Sequence, residues 1–273
     1  MSTPLARPIT EDEIRTYEET GVVHLKGLFD QAWIDHLREA MEYALIHPGK
    51  LAHNLSHDDP KGKFISETFL FHQHPGFREF VFQSPAAEIA AQVMRSTKAN
   101  IVFDQHLVKE PETEQPTVWH HDLTYWPIRG NQVCTLWLAL DPVREETGSM
   151  EFAVGSHRWG HRYHPVAFVD HSKYKTEEPP VPDVEAMRDE LEFIRFDYEP
   201  GDCTVHHGLL LHMAGGNRSQ TLRRRAYAMR WAGDDVVYDP RPNIQQMLWE
   251  PSMAAGEPLD SELWPVVRTE AAA

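Results

Sequence analysis

A chain of 273 residues with 42 Asp and Glu against 26 Lys and Arg carries a formal net charge of −16. Such a chain repels phosphate backbones and anionic lipid, so neither nucleic acid nor a membrane surface is the expected partner. Its two cysteines, Cys134 and Cys203, lie in apolar runs and read as buried thiols of a reducing compartment, and no apolar run reaches the roughly 18 residues of a membrane span. The N-terminus has no signal-peptide hydrophobic segment and Thr269–Ala273 is no peroxisomal tripeptide, so the expectation is a cytoplasmic protein.

The chain opens on helix, strand, helix. Thr10 and Glu13 form a capping box with Ile9 and Ile14 as its hydrophobic staple, and Gly21 ends that helix. Val22–Leu25 reads as a strand. Asp30 caps a second helix in which Ile34, Leu37, Met41 and Leu45 recur at helical spacing until Pro48. Residues 49–63 are a polar loop, and Ser84 with Pro85 starts a further helix toward Met94.

From residue 99 the pattern turns to strands: 101–108, 132–140, 150–154, 193–198, 203–207 and 224–231, with Gly, Pro and Asp turns between them. Within 132–140, Cys134, Leu136, Leu138 and Leu140 suit a face under helices, whereas Val133, Thr135, Trp137 and Ala139 suit a cavity wall. An insertion near 160–192 includes a short helix capped by Asp183. Helices first and many short strands after fit a mainly β protein with flanking helices around a double-stranded β-helix, or cupin-like jelly roll. The expected organisation is one domain over 1–273, with 1–98 mainly helical, 99–235 the jelly-roll core and 236–273 a tail.

The chemistry gathers at Trp119-His120-His121-Asp122 and at His207-Gly-Leu-Leu-Leu-His212. On an extended strand His120 and Asp122 project to one face while His121 points away. A second imidazole from a distant strand completes a 2-His-1-carboxylate set, which covers one face of a metal and leaves the others open, as in non-haem Fe(II) oxygenases. His206, His207 and His212 compete for the distal place, and His57-Asp58-Asp59 is a weaker His-x-Asp in a polar loop. The basic run Arg223-Arg224-Arg225 follows His212 and offers an arginine for the carboxylate of a 2-oxoglutarate cosubstrate.

These blocks together resemble the phytanoyl-CoA dioxygenase-like (PhyH) family of Fe(II)- and 2-oxoglutarate-dependent oxygenases. The matching segments run nearly end to end: 19–27, Ser84-Pro85-Ala86, 104–111, 119–127, 137–141, 148–157, 200–202 and 212–226. The resemblance implies Fe(II) held by His120, Asp122 and His212, with 2-oxoglutarate and O2 as cosubstrates. It implies hydroxylation of a C–H bond of a small organic molecule, with release of succinate and CO2. Eleven positions past His212, the family's spacing puts the carboxylate-binding arginine at Arg223, with Arg225 as the fallback and Arg224 facing the other way. Thr135 and Trp137 take the family's positions near the cosubstrate, and Gln105 and Lys109 are weaker carry-overs. Related halogenases replace the acidic ligand with a small residue; the intact Asp122 favours oxygenation.

By position alone, Tyr125, Trp126, Phe152, His206 and Phe71 are the candidates for the substrate pocket. The alternatives are a cupin-type metal enzyme that uses no 2-oxoglutarate, or a barrel that binds without catalysis. The first has no need of Arg223 or Trp137, and the second usually shows a missing ligand.

Overall fold

The computed structural model describes residues 3–56, 61–166, 178–242 and 244–269; the His57-Asp58-Asp59 alternative lies outside them. Local signals organise the N-terminal part. Helix α1 (Glu11–Thr20) starts at the Thr10–Glu13 capping box and stops at Gly21, whose φ of 86° is the left-handed conformation open to glycine. Strand β1 (Val22–Leu25) follows, then α2 (Gln31–Ile46), capped by the Asp30 carboxylate on the Trp33 amide.

The next stretch was less legible. The expected polar loop contains β2 (Ala52–Asn54), which pairs with β3 (Phe64–Thr68). Two helices, α3 (Leu70–Gln73) and α4 (Pro75–Gln83), fill the gap before α5 (Ala86–Val93). Ser84 ends α4 rather than capping α5 as its first residue, although its hydroxyl accepts the Ala86 amide.

The strands then follow: β4 (Lys98–Lys109), β5 (Thr117–His120), β6 (Ile128–Arg129), β7 (Val133–Ala139), β8 (Met150–Ala153), β9 (Phe193–Arg195), β10 (Cys203–His207), β11 (His212–Ala214), β12 (Arg224–Ala232), β13 (Val237–Tyr238) and β14 (Val266–Thr269). They form a large antiparallel sheet in the order β1-β10-β7-β12-β4-β3-β2, with β14 also on β4, a small sheet in the order β5-β11-β8-β9, and a two-stranded pair of β6 with β13. Helices first and antiparallel sheets after, the two larger of them facing each other, give the mainly β jelly-roll architecture. The Asp183 segment holds only a 3-10 turn, Glu185–Met187.

Strand alternation divides the large sheet into two faces. Cys134, Leu136, Leu138, Tyr227, Met229 and Trp231 pack under the helices with Leu37, Met41, Phe77 and Phe80. Trp137, Ala139, Ala226 and Ala228 face inward and pack with Phe152 and Met150. The small inward alanines leave room between the sheets, where the cavity lies. Phe71, expected at the pocket, belongs instead to the helix-side core at 1% exposure, because α3 lies on the outer face of β4. Cys134 and Cys203 are buried free thiols. Among the described residues no helix is long and apolar enough to cross a membrane.

Candidate active site

His120 ends β5, and its pairing partner on β11 is His212, so the ladder of the small sheet brings the two imidazoles together across ninety-two positions of sequence. Their ring centroids are 4.2 Å apart. Asp122 does not lie on the strand, as expected, but opens a 3-10 turn (Asp122–Tyr125). His121 between them is extended, so His120 and Asp122 still share a side, while His121 points away and its Nε2 accepts the Tyr163 amide.

Candidate ligand atoms of His120, Asp122 and His212 all lie within 4.8 Å of one another. Each imidazole is oriented through its far nitrogen: Nδ1 of His120 meets the Val118 carbonyl at 2.8 Å and Nδ1 of His212 the Leu210 carbonyl at 2.9 Å. A carbonyl only accepts, so both Nδ1 atoms carry hydrogen and both Nε2 lone pairs turn toward Asp122, at 3.6 and 4.0 Å from Oδ1. Burial, with His120 and His206 adjacent, holds the His212 imidazole well below its ordinary range and so in the neutral form a metal needs.

Burial alone would raise the Asp122 carboxyl, but its surroundings, the Arg230 guanidinium foremost, hold it well below the usual range. Its Oδ2 accepts the Thr135 hydroxyl and lies 3.4 Å from His206 Nε2 and 3.7 Å from Arg230 Nε. Thr135 therefore aims the carboxylate, a role its position alone did not disclose. The donor set suits a divalent metal with open positions: two neutral imidazoles, one carboxylate, and further polar groups that steady rather than compete.

The arginine register differs from the spacing count. Arg223 precedes β12 and lies outside, bonding Glu110 at 2.9 Å and Glu42 at 2.8 Å. Arg225 faces the helices, paired with Asp141 and Glu42. Arg224 is the inward residue: it is 2% exposed, lines the cavity and lies over the Trp137 ring. The count of eleven runs through a turn, whereas the facing is set by where the strand begins, and β12 begins with Arg224 pointing in.

Arg224 sits opposite Lys109 on β4. Lys109 is fully buried, donates to the Gly215 carbonyl at 2.6 Å and is pushed well below the ordinary lysine range, first by burial and then by Arg224. Burial lowers Arg224 to about 10, so it stays charged near neutral pH. Among the described residues neither forms an ion pair, and Arg224 Nε has no hydrogen-bond partner. A buried guanidinium with a free N–H is matched by an incoming carboxylate.

Of the other expected residues, Gln105, Trp137, Tyr125, Trp126 and His206 line this cavity, with Gln105 donating to Ser66. Phe152 stands behind it, its ring 5.4 Å from His206 and 5.9 Å from His212. Sequence reasoning missed Arg230, Arg224 as the inward arginine, and Arg241. The alternation of β12, which puts 224, 226, 228 and 230 on one face, was the available signal for the first two.

The model of the family described as phytanoyl-CoA dioxygenase (PhyH) matches residues 17–226. A probable phytanoyl-CoA dioxygenase of Caenorhabditis elegans is 21% identical over 253 residues, covering 84% of this chain and 77% of that protein. The 1-deoxypentalenic acid 11-beta-hydroxylase of Streptomyces arenae is 26% identical over 216 residues, covering 75% of this chain and 74% of that one. The fold matches the non-haem alpha-ketoglutarate-dependent carbocyclase SnoK of nogalamycin biosynthesis, with a TM-score of 0.77 at 24% identity, over 97% of this chain and 99% of that one.

Proposed function

Because the chain belongs to the phytanoyl-CoA dioxygenase family of Fe(II)- and 2-oxoglutarate-dependent oxygenases, we propose that it hydroxylates a C–H bond of a small organic molecule, using His120, Asp122 and His212 as iron ligands and Arg224 as the cosubstrate anchor. The observation that carries this reading is the convergence of the three ligand atoms within 4.8 Å, in a cavity that also contains the buried, partly unbonded Arg224 guanidinium. When bound, iron and 2-oxoglutarate supply the oxidising power, dioxygen is consumed, and succinate and CO2 leave.

The chain's own residues set the conditions. Backbone carbonyls of Val118 and Leu210 fix the imidazole tautomers, and the Thr135 hydroxyl with the Arg230 charge keeps Asp122 ionised and aimed. Arg224 presents a desolvated cationic end to the distal carboxylate, with Lys109 opposite it on β4 and the flat Trp137 ring beneath. Phe103, Tyr125 and Trp126 give the cavity aromatic walls.

The test is anaerobic addition of Fe(II) and then 2-oxoglutarate, read by the weak visible charge-transfer band of the chelate. The band is expected in the wild type and expected to vanish in Asp122→Ala and His212→Ala through loss of metal. Arg224→Met is expected to weaken 2-oxoglutarate by about 2–5 kcal/mol, the cost of stranding a buried charge partner, and Arg223→Ala to leave it nearly unchanged. Tight iron binding with no band at any 2-oxoglutarate concentration would overturn the oxygenase reading. A large loss at Arg223 with none at Arg224 would overturn the anchor.

A further inference from the structure

Arg230 is a second buried arginine in the cavity, and the cosubstrate reading does not use it. Its side chain is 8% exposed and lies against two aromatic rings, with Cζ 4.7 Å from the Phe103 centroid and 5.9 Å from that of Trp126. Among the described residues, one of its five N–H groups reaches the Ala228 carbonyl at a long 3.3 Å, and Nε has no hydrogen-bond partner. Its nearest carboxylate oxygen, Asp122 Oδ2, pairs with it as a charge at 3.7 Å from Nε, beyond hydrogen-bond reach, and also accepts the Thr135 hydroxyl. The other carboxyl in its field, Asp104, points to the opposite face of β4, where the Tyr227 hydroxyl and the Phe71 amide occupy it. A guanidinium so dry and so sparsely bonded is costly unless something else completes it.

The place of Arg230 in the cavity says what that partner is. Arg224 and Arg230 face inward from one strand six residues apart, about 20 Å between Cα atoms. Trp137 pairs with Ala228 and Thr135 with Arg230, so Arg230 is level with the ligand set while Arg224 lies farther along. A five-carbon diacid reaching from Arg224 to the metal ends there. Arg230, by contrast, opens toward the space walled by Phe103, Tyr125, Trp126 and Gln245. With a divalent ion and a doubly charged cosubstrate in place, the two arginines exceed the single Asp122 carboxylate by one positive charge. One more monoanion balances the site.

Resting on the oxygenase reading, we propose that Arg230 is a specificity-determining residue that pairs with a carboxylate on the substrate, so that the substrate class is a small organic acid with an apolar body. The planar fork of the guanidinium matches a carboxylate through two parallel hydrogen bonds. The Phe103 and Trp126 rings that flank it provide the apolar surface for the rest of the molecule.

The test uses the full chain loaded with Zn(II), with and without N-oxalylglycine in the cosubstrate place. The probes are 3-phenylpropanoate, cyclohexanecarboxylate and decanoate, each set against its own primary amide, with binding read by ligand-observed NMR. Acids are expected to bind about tenfold to a hundredfold more tightly than their amides. Arg230→Met is expected to abolish that preference, and Arg230→Lys, which keeps the charge, to retain part of it. Bound zinc in each variant reports an intact site, and if Arg230→Met loses zinc the Lys variant carries the comparison. Equal binding of acid and amide, no acid binding at millimolar concentration, or an undiminished preference in Arg230→Met overturns the proposal. So does a loss of 2-oxoglutarate affinity in Arg230→Met equal to that in Arg224→Met, which would make Arg230 a cosubstrate residue. Failure of the oxygenase reading looks different: the wild type then gives no charge-transfer band, while acid preference without N-oxalylglycine is still measured.

Discussion

Asp104 and His106 stand two residues apart on the helix-side face of β4, and burial moves them in opposite directions. Asp104 is raised to about 7 by burial, against the hydrogen bonds of Tyr227 and Phe71. His106 is lowered to about 4 by burial, against the Glu67 charge. The unfolded chain releases the Asp104 proton near its ordinary value and the folded protein only near 7, so folding takes up a proton in between. That contribution to stability is therefore lost as the pH rises through about 4 to 7. For His106 the unfolded chain holds the proton up to about 6.5 and the folded state sheds it, so stability is lost as the pH falls from about 6.5 to 4. The two oppose each other over most of one window. Asp104→Asn leaves His106 unopposed: the variant's stability relative to the wild type is expected to rise from pH 4 to 8, by at most about 4 kcal/mol at roughly 1.4 kcal/mol per pKa unit. Urea unfolding at a series of pH values checks it. A stability difference that stays flat across that range would show that Asp104 is ionised throughout.

At the scale of elements, what was legible depended on how local the signal is. The capping box of α1, the Asp30 cap of α2 and the two faces of β7 follow from side chains within a few residues of one another, and they read correctly. The helices at 70–83 did not read, because Phe69 turns the chain with a left-handed φ of 57° and Pro75 starts the next helix with only His74 between it and α3. The candidate ligand residues stood out as chemistry, three residue types in two segments. The inward arginine did not, because its facing depends on how β12 is laid against β4 and β7 after the turn. Nor did any local pattern mark Arg241, whose guanidinium donates to the carbonyls of Leu123, Thr124 and Trp126 and pairs with Glu178. It braces the 3-10 turn that presents Asp122. Arg241→Ala is expected to weaken Zn(II) about tenfold, as loss of an outer support does. Arg241→Lys should rescue little, since an ammonium lacks the planar fork that spans those carbonyls. Competition against a chromophoric chelator measures both, and unchanged affinity in the alanine variant would make the brace irrelevant to the site.

For the whole molecule, the helices-then-strands order disclosed the architecture, but not the pairings that close it. β1 joins the large sheet beside β10, with Val22 opposite His206, across a separation that no periodicity encodes. The same long-range closure makes the site a junction. His120, Asp122 and His212 come from the small sheet and the turn that extends it, whereas Thr135, His206 and Arg230, which surround the Asp122 carboxylate, come from the large one. An ion held by the first three thus fixes the carboxylate that the second three grip, and ties the sheets together only in the folded state. A ligand that binds the folded state alone stabilises it by mass action, about 2.7 kcal/mol at a hundredfold excess over Kd. For a chain somewhat larger than those from which the scaling is drawn, that corresponds to a rise in Tm of about 5–8 °C. Zn(II) or Mn(II) is expected to produce that rise, EDTA to reverse it, and Asp122→Ala to abolish it, although the metal-free Tm of that variant also falls because Arg230 is left buried without its nearest carboxylate. A metal-induced rise of equal size in Asp122→Ala would place the ion elsewhere in the fold, and no rise in the wild type would mean that the three residues meet without holding one.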